Sequence, residues 1–192
     1  MKSCRAAGLL LLLIISCCRC GTAAASAFCF IGDSRFVGMD SAVPMAYRTN
    51  VGWLAETSVG NRWFWNYGEA IKDLSRDTVI VYGLGVNDLD SVECVSVLTY
   101  LRDLGFQYIY FVAAGPVDEA KAEAYGYTRT NRQIMEYNQE VYANLPDGVG
   151  ALDSYVFLMS NGFDTWDGIH YKDETYQIWF YALIGTIDSL LY

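Results

Sequence analysis

Thr78-Val79-Ile80-Val81-Tyr82-Gly83-Leu84-Gly85 is the stretch that decides the architecture. It is β-branched and aromatic, almost wholly apolar, and ended by two glycines. A strand without polar alternation has both faces buried, which is the habit of a parallel sheet covered by helices. Other stretches read the same way more weakly. Phe28-Cys29-Phe30-Ile31 runs into the turn Gly32-Asp33, and Tyr108-Ile109-Tyr110-Phe111-Val112 runs toward Gly115-Pro116. Residues 53–57 and Gly150-Ala151-Leu152 are the shortest strand candidates. Helical spacing fills the gaps. Residues 92–104 carry Val95, Leu98, Leu101 and Leu104; residues 130–145 carry Ile134, Tyr137 and Val141; residues 173–191 form a long apolar C-terminal helix with Asp173 as its expected N-cap. Repeated β-then-α order predicts a three-layer α/β/α sandwich with a mainly parallel, doubly wound sheet of about five strands. In such sheets, sites form in the loops beyond the strand C-termini.

Composition narrows the function classes. A length of 192 residues suits one domain, and 53% hydrophobic residues rule out a disordered chain. The formal charge of −9 argues against a nucleic-acid partner and against electrostatic attraction to an anionic membrane. Lys2 and Arg5, the apolar run 9–15 and the small residues 21–27 have the three-part layout of an export signal, too short for a permanent transmembrane helix. Two processing readings compete. Cleavage near residues 25–27 leaves residues 26–192 as a single exported domain. Ile14-Ile15-Ser16-Cys17 is a lipobox-like alternative that would leave a lipid anchor at Cys17. Both place the domain outside the cytoplasm. Residues 1–25 contain three basic residues and no acid, so their removal leaves the domain more acidic. Cys17-Cys18-Arg19-Cys20 lacks a partner histidine or second cysteine pair, and a zinc reading is rejected. Cys29 and Cys94 are either a disulfide or two buried thiols.

The chain has one histidine, His170, in Asp167-Gly168-Ile169-His170. Ser34 follows a strand and a Gly-Asp turn, where a hydroxyl can be presented on a rigid platform. It needs a base to become nucleophilic. His170 is the sole candidate imidazole, and Asp167, three residues earlier, can orient its ring. Asp164 is a second choice for that orienting carboxylate. Asn87, in Gly85-Val86-Asn87-Asp88 beyond the best strand, offers an amide donor for a negative oxygen. Asp88 reads as a loop anchor. Singly, each piece has an ordinary explanation as a turn or a surface residue. Together they occur in a workable order at strand ends.

That combination resembles the SGNH (GDSL-type) hydrolases over essentially the whole chain from Phe28 onward. Gly32-Asp33-Ser34 matches the family's nucleophile motif, Gly85-x-Asn87-Asp88 its oxyanion asparagine motif, and Asp167-x-x-His170 its acid and base motif. The resemblance implies a flavodoxin-like fold and an exported serine esterase without metal or cofactor. It also implies a Ser34-His170-Asp167 triad and an oxyanion hole from Ser34, Asn87 and a glycine. Gly60 is the choice for that glycine and Gly52 the runner-up. Arg35 departs from the signature, which has leucine there; it either holds a substrate carboxylate or pairs with an acid. Trp53, Trp63, Trp65, Tyr67 and Trp166 are either packing residues or faces for stacking on sugars. Trp166, beside Asp167, is the candidate substrate contact among them. The expected substrate is a small-molecule or glycan ester, with lipid esters, thioesters and acyl transfer to a sugar as alternatives. A non-catalytic glycan-binding domain is the alternative outside the enzyme class.

Overall fold

Successive residues of the strand at 79–83 bury on opposite sides of the sheet. Val79 and Val81 join one apolar cluster, while Ile80 and Tyr82 join another. The same alternation holds at Phe28 and Phe30 against Cys29 and Ile31, and at Tyr110 and Val112 against Ile109 and Phe111. Both faces are therefore core, which is why these strands show no polar period.

A computed structural model describes residues 27–191. The segment read as an export signal, with Cys17, lies outside the described residues. The strands β1 (Phe28–Gly32), β2 (Val51–Ala55), β3 (Val79–Gly83), β4 (Ile109–Val112) and β5 (Val149–Leu152) form one parallel sheet in the order β2-β1-β3-β4-β5. The helices are α1 (Ser34–Ala42), α2 (Gly68–Ile71), α3 (Ser91–Asp103), α4 (Glu119–Ala124), α5 (Asn131–Ala143), α6 (Ser154–Asn161) and α7 (Asp173–Leu191). On one face α1, α6 and α7 bury Phe36, Leu158, Trp179, Phe180 and Leu183. On the other, α3 and α5 bury Cys94, Leu98, Leu101, Tyr137 and Val141. This is the expected three-layer α/β/α sandwich with a flavodoxin-like strand order. Its switch point lies between β1 and β3, where connections leave in opposite directions and a crevice opens.

The differences from the sequence reading are local. β2 starts at Val51, two residues before the expected strand. Asp173 is the first helical residue of α7, so the cap position belongs to Lys172. The buried stripe of α3 is Cys94, Val97, Leu98 and Leu101; Val95 and Leu104 lie at its edge. The polar stretch 116–128 reads from sequence as a rim or as a connection with some helix over 119–125, and α4 takes residues 119–124 of it. The sequence reading contains no helix at α1 or α6. α1 carries a buried arginine and Gly38 where an apolar stripe would be sought; Gly38 is required because the Tyr176 ring lies against it. Cys29 and Cys94 are free and buried, and burial pushes their thiols up to about 11 and about 12.

Gly32 and Gly83 end β1 and β3 as register neighbours. A Cβ on either would overlap the Phe36 ring, which lies across both. Their bare backbones let α1 begin directly after β1. Gly83→Ala is expected to destabilise the protein by about 1–3 kcal/mol through overpacking. Denaturant unfolding of Gly83→Ala, Phe36→Leu and the double variant should show a favourable coupling of at least about 1 kcal/mol.

Candidate active site

The loops after β1 and β3 meet a third loop, 164–172, over the crevice. Asp33 caps α1: its Oδ1 accepts the Arg35 N–H at 3.0 Å, and Ser34 becomes the first helical residue. At the third loop, Asp167 Oδ1 accepts the N–H groups of Ile169 and His170 at 3.0 and 2.8 Å. Gly168 makes this tight turn possible with φ of +91°, a conformation only glycine adopts freely. A Cβ there would strike the Ala122 backbone.

These turns bring three residues into line. His170 Nδ1 lies 2.7 Å from Asp167 Oδ2, and His170 Nε2 lies 2.9 Å from Ser34 Oγ. A carboxylate only accepts, so Nδ1 carries the proton and Nε2 is left to accept from the serine hydroxyl. Burial pushes the Asp167 carboxyl up, but the His170 N–H, its ring and the Ile169 N–H outweigh that and hold it at about 2. Asp164 is engaged elsewhere, with Lys172 at 2.5 Å and Lys121 at 3.4 Å.

The facing wall comes from the loop after β3. Asn87 lines the same cleft as Ser34 and His170. Its Nδ2 donates to Val59 O at 2.7 Å, which leaves a second hydrogen on that nitrogen. Asp88 anchors the loop, accepting the Asn61 N–H at 2.6 Å and the Asn61 side-chain amide at 2.9 Å. Buried Asn61 in turn accepts from Tyr82 Oη at 2.8 Å. Gly60 precedes Asn61, and a Cβ there would collide with the Asp88 carboxylate. Among the described residues, the N–H groups of Gly60 and Ser34 donate to no protein acceptor. Gly52 is set aside: it pairs with Cys29 inside β2, toward the opposite end of the strands.

Arg35 bonds to neither of the groups expected for it. It is 3% exposed, and its guanidinium donates to Ile169 O, Gly115 O and Pro116 O at 3.1, 2.8 and 3.2 Å. Among the described residues it pairs with no acid, and it lies outside the cleft lining; it clamps the third loop and the β4 exit to α1. Trp166 is 62% exposed, carries the Lys172 ammonium over its ring and lies outside the cleft lining. Trp53 packs on Phe30 and Phe180, while Trp63 and Trp65 donate to Glu56 and Glu93.

The cleft, about 230 Å³, is lined by Ser34, Ser58, Val86, Asn87, Tyr127, Thr128, Arg129, Ile169 and His170. Tyr125-Gly126-Tyr127 reads from sequence as either a rim or a plain connection; Tyr127 does line the cleft, together with Thr128 and with Arg129, which no sequence signal singles out. Tyr127 Oη donates to Asp167 Oδ2 at 3.2 Å, and its ring meets His170 edge-on. Among the described residues, no three His, Cys, Asp or Glu side chains group to hold a metal, and no helix is long and apolar enough to cross a membrane.

No protein-family model and no curated protein matches the sequence. Solved structures do match the fold. A lipase/acylhydrolase from Enterococcus faecalis is 16% identical, with 85% of this chain and 96% of that one covered and a TM-score of 0.64. A GDSL-like lipase from Bacteroides thetaiotaomicron is 13% identical over 85% and 88%, with a TM-score of 0.64. An acetyl xylan esterase is 13% identical over 86% and 99%, with a TM-score of 0.60. At these identities the likeness establishes a shared fold.

Asp33 adds a pH dependence to the site. It is 1% exposed, its Oδ2 has no partner, and burial pushes its carboxyl up to about 6 against the opposing pull of the Arg35 N–H and charge. The folded state thus holds the proton more tightly than the unfolded chain. The associated stability is complete below the unfolded pKa near 4 and is lost as pH rises through about 6. Asp33→Asn keeps a capping oxygen and never ionises. Its stability relative to wild type should rise by roughly 2 kcal/mol between pH 4 and pH 7. Urea unfolding across that range checks it, and a flat difference would refute it.

Proposed function

We propose that this protein is an exported serine esterase that removes small acyl groups from a carbohydrate or cell-wall glycan. The observation that carries the reading is the hydrogen-bonded line Ser34 Oγ–His170–Asp167 at the switch point of a parallel sheet. A serine, its base and an orienting carboxylate in that geometry are what acyl transfer needs.

In this mechanism Ser34 Oγ attacks the ester carbonyl as its proton passes to His170 Nε2. Asp167 holds the ring through Nδ1 and supports the imidazolium. The carbonyl oxygen becomes an oxyanion, taken up by the Ser34 and Gly60 N–H groups and the free hydrogen of Asn87 Nδ2. His170 then gives its proton to the departing alcohol, which leaves an acyl group on Ser34. Water, deprotonated by His170, attacks that acyl carbon, and the acid departs as Ser34 recovers its proton.

The substrate class rests on the cleft. Its lining is mostly hydroxyl, amide and guanidinium groups, which suits a short acyl group on a polar alcohol better than a long lipid chain. Proteins described as an acetyl xylan esterase and as lipases share the fold. The N-terminal segment 1–25, read as an export signal or a Cys17 lipid anchor, supports an activity outside the cytoplasm. Acyl transfer to a sugar hydroxyl is the same chemistry with a different acceptor.

Residues 26–192 should hydrolyse a short-chain nitrophenyl ester. Ser34→Ala and His170→Ala should reduce the rate to near background, and Asn87→Ala should lower kcat by ~100- to 1,000-fold, the usual cost of one oxyanion donor. Unchanged activity in Ser34→Ala or His170→Ala overturns the mechanism.

A further inference from the structure

Arg129 lines the cleft beside Ser34 and His170, and it is the cleft's one cationic side chain among the described residues. Of its donors, Nη2 bonds to Asn87 O at 2.8 Å. It makes no ion pair with any described carboxylate. This contrasts with Arg35, whose guanidinium is spent on three carbonyls. Asp88, the acid that most favours its charge, is committed to Asn61. Burial holds the Arg129 guanidinium below its ordinary range, a cost that a bound anion would offset. The residue is also held in place. Thr130 next to it forms a capping box with Gln133 at the start of α5, and the Tyr127 N–H donates to Ala122 O at 2.9 Å. The chain as a whole carries −9, and Asp167 bonds to two residues of the cleft lining, His170 and Tyr127. An anionic ligand would be repelled there without a local cation.

Resting on the esterase reading above, we propose that Arg129 is a specificity-determining residue for esters whose acyl or alcohol part carries a carboxylate. Guanidinium is well suited to a planar carboxylate, which it can hold through paired N–H groups.

The test compares kcat/KM on phenyl acetate, on 4-acetoxybenzoate (carboxylate on the alcohol side) and on phenyl hydrogen succinate (carboxylate on the acyl side). Each rate is divided by the ester's hydroxide-catalysed rate. Wild type should favour one of the charged esters over phenyl acetate; which one is favoured tells the side. Arg129→Gln should lower that preference by about 10-fold or more, and Arg129→Lys should retain part of it. Because Arg129 also bonds to the backbone of Asn87, Arg129→Gln will slow the neutral ester too, and the ratio removes that effect. A ratio unchanged in Arg129→Gln overturns the proposal while the esterase reading stands. If wild type hydrolyses none of the esters, the esterase reading fails, and binding decides the role of Arg129. Ser34→Ala should then bind 4-acetamidobenzoate or N-phenylsuccinamate more tightly than acetanilide. Equal binding, or a preference that survives Arg129→Gln in the Ser34→Ala background, overturns the proposal.

Discussion

A buried guanidinium holds the site together. Arg35 sits one residue after Ser34, and its three carbonyl partners lie beside His170 and at the exit of β4. Burying a cation costs several kcal/mol unless its donors are satisfied. Here the bonds that satisfy them also join three segments far apart in sequence. The bond to Ile169 O fixes the residue before His170, so the serine and the imidazole inherit their spacing from a clamp that touches neither ring nor hydroxyl. The Tyr171 ring, 4.8 Å from the guanidinium carbon, closes the clamp from the side.

The opposite wall uses an anion for the same task. Asp88 gathers Asn61 through two bonds, and Tyr82 in β3 gathers the same asparagine from the core. Gly60 and Asn87 are thereby fixed relative to one another. Glycine at 60 follows from this arrangement, because the Asp88 carboxylate occupies the space a side chain would need. Rigid donors of this kind suit oxyanion stabilisation, since they need no reorganisation when charge develops. The two walls meet at Ser34, which belongs to α1 and owes its place to the Gly32–Gly83 floor beneath Phe36.

Much of this was legible in the sequence, for identifiable reasons. Strands buried on both faces lose their polar period, so 79–83 and 109–112 announced a parallel sheet. Gly32-Asp33-Ser34 and Asp167-x-x-His170 were visible because the turn, cap and carboxylate that shape each one lie within a few residues. α1 was not legible, since its buried face contains Arg35 and Gly38, residues that helical patterning assigns to a surface or a break. Nor was the role of Arg35, because backbone carbonyls leave no mark on sequence spacing. Arg129 was hidden for a similar reason: the connection from β4 folds back over the β3 loop, and nothing near residue 129 records that return.

The sequence by itself determined the layer architecture, the turns that present Ser34 and His170, and a workable set of reactive groups. Periodicity, capping and glycine turns act over a few residues, so they are written locally. Only the tertiary structure decided that Ser34 and His170, 136 residues apart, meet at hydrogen-bond distance. It also decided that Arg35 faces inward to carbonyls, that Trp166 lies outside the cleft, and that Arg129 enters it. Those outcomes depend on the strand order β2-β1-β3-β4-β5 and on which loops it stacks above the switch point. Such contacts come from packing between distant segments, and no short-range pattern encodes them.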